Sequence, residues 1–191
     1  VAMMMLFEEG KWQLNDPVAK YIPEFRGMKV WSANNAEGVA QAHPMTMREL
    51  MTHTAGLGYI LNPKNPVDQM IIQGRVLDTA APLQTMIDKL GKIQLLAHPG
   101  TRWSYSIAVD VQGYLVEKFS GQSFADFLRT RLFEPLGMKD TAFYVPKEKF
   151  SRLPQVHTAT GATLAVDPNR PDPLVAPAGA SGGGGLFSTA P

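Results

Sequence analysis

The 191-residue chain has no cysteine, which excludes disulfide staples and thiolate-held metals. It carries almost no excess charge. Eighteen basic residues against 17 acidic ones leave a net charge of +1, and without a basic run or stripe nucleic-acid binding has no electrostatic footing. Long apolar runs are missing too: none approaches the roughly 18 residues of a membrane span. The opening Val1-Ala-Met-Met-Met-Leu-Phe7 lacks a basic flank and runs straight into Glu8-Glu9-Gly10, unlike an export signal. The four histidines (His43, His53, His98, His157) are far apart, and two precede proline, so no zinc-binding helix spacing exists. Nucleotide-binding signatures are absent: no G-x-x-x-x-G-K-[ST] occurs, and no G-x-G-x-x-G sits on a strand-to-helix turn. Neither a metal nor a cofactor is expected, nor a nucleic-acid or membrane partner.

What is present is a chain with 45% hydrophobic residues, enough for one buried core. Residues 1–9 read as the second half of a buried helix stopped by Gly10. Lys11 to Leu14 reads as a brief extended piece, Asn15-Asp16-Pro17 as the cap of a short helix through Tyr21, and Pro23 as its stop. Residues 26 to 45, with Gly27, Asn34, Asn35, Gly38 and Pro44, show no period and read as a loop. Thr46-Met-Arg-Glu49 is a capping box. Helices are predicted over Val67 to Ile72, after Pro82, from Val109 to Phe119 with Gly121 as the stop, and from Ser123 to just before Pro135. Extended pieces are predicted at Met138 to Tyr144, Thr158 to Ala165 and Leu186-Phe187. The ten methionines mostly fill helical core positions. The class is therefore α+β and mainly helical, with marginal strands of an incomplete antiparallel sheet. A helix lacking its start at Val1, and a capped start at Ser188 or Thr189 with Pro191 but no helix after it, read as an interior piece of a larger protein.

Candidate chemistry centres on His98-Pro-Gly-Thr-Arg-Trp-Ser-Tyr-Ser-Ile107, a turn-rich loop that ends in the hydroxyl of Tyr105 where a helix begins. A phenol held there suits proton transfer, provided cations or strong donors lower its affinity for the proton. The alternative is an aromatic side chain covering a helix end. Gly179-Ala-Ser181-Gly-Gly183 fits G-x-S-x-G, but that nucleophile elbow requires a strand before the serine and a helix after it. Prolines precede Ser181 and glycines follow it, so the segment reads instead as a close-packed approach to a strand. His53, at the end of the capped helix, reads as a structural residue bonding last-turn carbonyls.

Four segments in order resemble the serine β-lactamase and DD-peptidase superfamily, and most resemble its family VIII carboxylesterases. They are Leu50-Met-Thr-His-Thr-Ala-Gly-Leu57, Pro99-Gly-Thr-Arg-Trp-Ser-Tyr-Ser106, Glu134-Pro-Leu-Gly-Met138 and Gly184-Gly-Leu-Phe-Ser-Thr-Ala190. Residues 1–10 resemble the helix trailing the family's S-x-x-K motif, and Leu14 to Phe25 its L-D-x-P-V-x-K-Y-I-P-E-F segment. The resemblance implies a β-lactamase/transpeptidase-like fold. It makes residues 1–191 a single incomplete domain, helical over about 14–145, with a loop-and-strand return toward the sheet over 146–191.

It further implies acyl transfer in two steps, in which a serine attacks an acyl carbonyl and a lysine and a tyrosine move protons. Tyr105 matches that tyrosine, and Ser106 and Ile107 the two positions after it. Tyr59 and Ile60 resemble a substrate-lining stretch. The β-lactamase pattern is Y-x-N, and Ile107 in place of the asparagine favours plain esters over β-lactams. The S-x-x-K pair is expected within about ten residues before Val1, and a K-T-G or W-G-G motif well after Pro191, so the chain alone is expected to be inactive. The expectation is thus a carboxylesterase for short-chain acyl esters acting on a small-molecule substrate. The alternatives are a class C β-lactamase or DD-peptidase, and a catalytically dead binding module.

Overall fold

The computed structural model describes residues 1–167 and 172–189. Among these described residues, six α-helices carry most of the core. Helix α1, Ala2–Glu8, buries Ala2, Met3 and Leu6. It ends where Gly10 turns left-handed at φ +73° and the Lys11 N–H donates to the Leu6 carbonyl, the glycine stop read from sequence. Helix α2, Met47–Met51, opens on the capping box, with Thr46 accepting from the Glu49 N–H and Glu49 accepting from the Thr46 N–H. Asn65 caps α3, Pro66–Gln73, and Pro82 precedes α4, Leu83–Leu90. Ser123 caps α6, Phe124–Leu128.

Helix α5, Ala108–Ser120, is the hub. Its buried residues follow the helical period at Ala108, Val111, Leu115 and Val116, and α1, α2, α4 and α6 all pack on it. Gly113 makes the closest approaches possible: a methyl group there would lie 3.3 Å from the Phe124 ring and 3.5 Å from the Gly182 nitrogen. Gly121, at φ +72°, ends the helix. The most enclosed side chains, among them Trp12, Leu50, Leu57, Ile87, Ile107 and Phe127, form one continuous core around this helix. Trp12 also donates its indole N–H to the Met3 carbonyl at 2.9 Å, tying the turn after α1 back onto it.

Several local expectations need correction. Residues 26 to 45 hold a hairpin, β1 Val30–Ser32 with β2 Asn35–Val39, extended by a parallel bridge from Val30 to Leu95. β1 is buried or half-buried and β2 is exposed except at Gly38, so neither strand shows the alternation that marks a half-buried strand. Residues 158 to 165 are not a single edge strand. They belong to a second hairpin, β3 His157–Thr160 with β4 Thr163–Val166, turning at Gly161-Ala162. Pro23 opens a 3-10 turn, Pro23–Phe25, where a stop was expected, and Lys11 to Leu14 is irregular and forms no strand. The helix opened by Ser123 changes to π geometry over Arg129–Phe133, with the Glu134 N–H donating to the Arg129 carbonyl, before Pro135 ends it. Phe187 pairs with Ala142 through two backbone bonds, so the 138–144 and 186–187 pieces meet at a single bridge. Pro191, read as a helix first turn, lies outside the described residues, as does Ala190 of the fourth motif.

Candidate active site

Two segments distant in sequence are laced together to build the site. The chain leaving α2, residues 53–58, lies against residues 96–107. Leu96 donates to the Gly56 carbonyl, Gly100 to Thr54, Ser104 to His53 and Ile107 to Gly58, at 2.7 to 3.0 Å. Gly56 is required here: it sits at φ +79°, and a Cβ would overlap the Ala97 carbonyl oxygen. His53 is itself left-handed at φ +58°, an unusual conformation for a residue other than glycine.

That conformation turns the imidazole toward the second segment, so it does not bond the last-turn carbonyls of α2 as the sequence suggested. Nδ1 lies 3.0 Å from Ser106 Oγ and receives the Ser106 backbone N–H at 3.2 Å. Because a backbone N–H can only donate, Nδ1 is the acceptor and the ring proton belongs on Nε2. Burial holds the imidazolium form below its usual range, consistent with a neutral ring. Ser106 is buried, and its Oγ also accepts from the Ala108 N–H in the first turn of α5.

Tyr105 stacks on this histidine, with ring centroids 4.9 Å apart and planes 29° from parallel. Tyr59 meets it edge-on at 5.7 Å. Tyr105 is 44% exposed, so its ring is held on two sides while the phenol stays accessible. Tyr59 is anchored through its backbone, whose N–H donates to Asp68 Oδ1 at 2.9 Å. The other oxygen of this buried carboxylate takes the Asn62 N–H. Burial pushes the Tyr59 phenol up, and the charges of Asp110 and Tyr105 push the same way, so it remains a neutral donor.

The structure therefore brings Tyr105, Tyr59 and Ser106 together. Ile60 is exposed on the outer face beside Tyr59, while the Ile107 side chain is fully enclosed in the core. A substrate-facing Ile107 does not fit that burial: the residue contributes packing and a backbone bond. Ser181 is bound rather than free. Its hydroxyl donates to Asp110 Oδ1 at 2.5 Å and accepts from the Gly184 N–H, and among the described residues no helix follows it. Sequence reasoning missed His53 as the support of Tyr105, and missed Asp68 and Asp110. For Asp110 a signal existed, since an acidic residue stands one position before Val111 on the buried face of α5.

Val1, at the cap of α1, and Ala2 share a cavity with Val109, Gln112 and Gly182, so the start of α1 lies against the first turns of α5. A helical layer packed on α5, short antiparallel strands and an accessible tyrosine entering that helix define a β-lactamase/transpeptidase-like fold. The chain belongs to the Beta-lactamase family, which it matches over residues 1–191.

Protein Rv1367c of Mycobacterium tuberculosis is 30% identical over 99% of the chain and 47% of its own length. Esterase EstB of Burkholderia gladioli is 32% identical over 75% of the chain and 35% of its length. Among solved structures, EstCE1, described as a hydrolase with promiscuous acyltransferase activity, superposes with a TM-score of 0.78. It is 27% identical, over 97% of this chain and 51% of that one. The chain spans about half the length of the curated relatives it matches. This is a family of serine hydrolases of β-lactamase fold, with esterases and acyltransferases among its members.

Proposed function

We propose that this chain supplies the proton-transfer tyrosine and part of the substrate-lining face of a carboxylesterase that cleaves short-chain acyl esters through an acyl-enzyme. The observation that carries the reading is Tyr105, an accessible phenol braced between the His53 and Tyr59 rings. Its position is fixed by the Ser106–His53 bonds on the next residue. A group that moves protons during acyl transfer must reach solvent or substrate and yet be held in one place. Tyr105 meets both conditions. Neither Ser106 nor Ser181 suits the nucleophile, since one hydroxyl is buried against His53 and the other is bound to Asp110. In this reading the serine it serves is that of an S-x-x-K motif elsewhere in the full-length protein, with Tyr59 and Ile60 lining the approach.

The test is hydrolysis of p-nitrophenyl butyrate by the full-length protein carrying Tyr105→Phe. Loss of about 100-fold or more in kcat with little change in KM is expected for removal of a general acid–base group. Undiminished turnover would rule the role out.

A further inference from the structure

Residues 17–29 and 40–45 border a groove of about 560 Å³. The two stretches are tied together by the Val18 N–H, which donates to the Met45 carbonyl at 2.9 Å, and by the Gln41 amide, which donates to the Met28 carbonyl at 2.8 Å. Phe25, Met28 and Met45, nearly enclosed in the core, give the groove an apolar floor. Pro17, Ala19 and Pro44 continue that surface. The ionisable residues bordering it are all basic, and among the described residues no carboxylate joins them. Lys20 is neutralised by Asp16 at 3.2 Å, and His43 lies 3.4 Å from Glu49. Arg26 and Lys29 differ. Both are exposed, and neither side chain has an ion pair or hydrogen bond among the described residues.

We propose that this groove binds an anionic amphiphile, a carboxylate on an aliphatic chain, with the chain on the apolar floor and the carboxylate held at the rim by Arg26 and Lys29. The lining includes none of Tyr59, Ile60, Tyr105 or Ser106, so the proposal does not depend on the esterase reading. Charge selects the head group. Two unpaired cations with no carboxylate beside them attract an anion and repel a cation, and a guanidinium can take both oxygens of a carboxylate in parallel. Size selects the chain. A cavity of roughly 150 Å³ holds benzene, or about 25 Å³ per carbon, so a ten-carbon acid takes up about 300 Å³ and fits with its head group in water. A peptide strand suits the groove less well, because Gln41 is already engaged with Met28 and the Ala42 N–H with His98 Nδ1. The floor is recessed while the cations are exposed. A flat membrane surface would therefore meet the charges and leave the floor empty.

The test is calorimetric titration of the full-length protein with sodium decanoate, below its micelle-forming range. Wild type is expected to bind it, and to bind decyltrimethylammonium at least about tenfold more weakly. Two variants then act on the head and the chain separately. Arg26→Gln combined with Lys29→Gln removes the cations at exposed positions, and a loss of about tenfold in decanoate affinity is expected. Ala40→Trp sets an indole at an exposed position lining the groove and is expected to displace the chain while the cations remain. Circular dichroism verifies that each variant is folded. No binding of decanoate up to about 1 mM, equal binding of the cationic analogue, or decanoate binding that survives both variants would overturn the proposal. So would binding to phosphatidylglycerol vesicles that the double variant abolishes and Ala40→Trp leaves intact, since the basic rim would then serve a membrane surface.

Discussion

Exchanging His53 for phenylalanine separates the two jobs that its ring performs. Phenylalanine can stack under Tyr105 much as the imidazole does at 4.9 Å, but it offers no acceptor. The Ser106 N–H, buried and pointing at Nδ1 from 3.2 Å, then loses its partner where water cannot replace it. The Ser106 hydroxyl can rotate and still accept from Ala108, so its loss is smaller. An unsatisfied buried donor costs roughly 1–3 kcal/mol. The left-handed backbone at φ +58° adds a few tenths more for a bulkier residue, so a total of about 2 kcal/mol is expected. His53→Asn is the complementary variant. Asparagine tolerates the left-handed region and its Oδ1 can accept the Ser106 N–H, but it leaves no ring beneath Tyr105. Urea unfolding of the full-length protein should place the phenylalanine variant lower in stability than the asparagine variant. p-Nitrophenyl butyrate turnover should rank them the other way, because only phenylalanine keeps the tyrosine braced. A phenylalanine variant as stable as wild type would show that the Ser106 bonds do not hold the loop, and the account of how Tyr105 is positioned would fail with them.

Acid should weaken the same region. The folded-state value of His53 is lowered by burial from an ordinary 6.5, so the unfolded chain binds more protons there. The stability it confers is complete above about pH 6.5 and declines as pH falls below it. The lowered carboxylates Asp16, Asp126 and Asp140 act only near and below their ordinary 3.8. Urea midpoints between pH 7.5 and 5 should therefore drop in the wild type and stay flatter in His53→Asn; parallel curves would contradict the neutral-histidine assignment. At Gly56, alanine meets both a left-handed backbone and the Ala97 carbonyl, so Gly56→Ala should cost about 3 kcal/mol or more. Gly121→Ala, at φ +72° with nothing within 4 Å, should cost only about 1 kcal/mol by the same unfolding measurement. Equal losses would mean that the carbonyl contact is relieved by a backbone shift.

What was legible in the sequence was what is decided locally. The Thr46–Glu49 box, the Ser123 cap and the Gly121 stop each depend on residues within one turn, and the period of α5 is written in thirteen consecutive positions. The β1–β2 hairpin was not legible. β1 is three residues long and β2 is exposed except at Gly38, so no alternation marks it, and its anchor is a bridge to Leu95, more than sixty positions away. The same distance effect hid the site. His53 and Ser106 are 53 residues apart, and nothing in either neighbourhood announces the other. Tyr105 was readable only because its loop sits in an ordered series of family motifs. Asp110 and Ser181, 71 residues apart, carry no such label. Ile107 shows the opposite error, since its place in the motif suggested contact with substrate while its physical environment is core.

These mismatches have a common origin in how the site is held. Tyr105 and Tyr59 are not carried on a sheet or in the middle of a helix. They sit on loops, and loops are mobile unless their backbone groups are satisfied. Here four backbone bonds lace residues 53–58 to 96–107, Asp68 takes the N–H groups of Tyr59 and Asn62, and His53 takes that of Ser106. Each buried polar group in this set spends its hydrogen-bonding capacity on backbone N–H groups and so fixes a neighbour rather than offering itself to a ligand. By that criterion Asp68, Ser106 and the Nδ1 side of His53 act to position their neighbours. Tyr105, by contrast, is 44% exposed and its ring is held by the His53 and Tyr59 contacts. The same hydrogen bonds that make the loops rigid thus leave Tyr105 as the group in this set presented outward for chemistry.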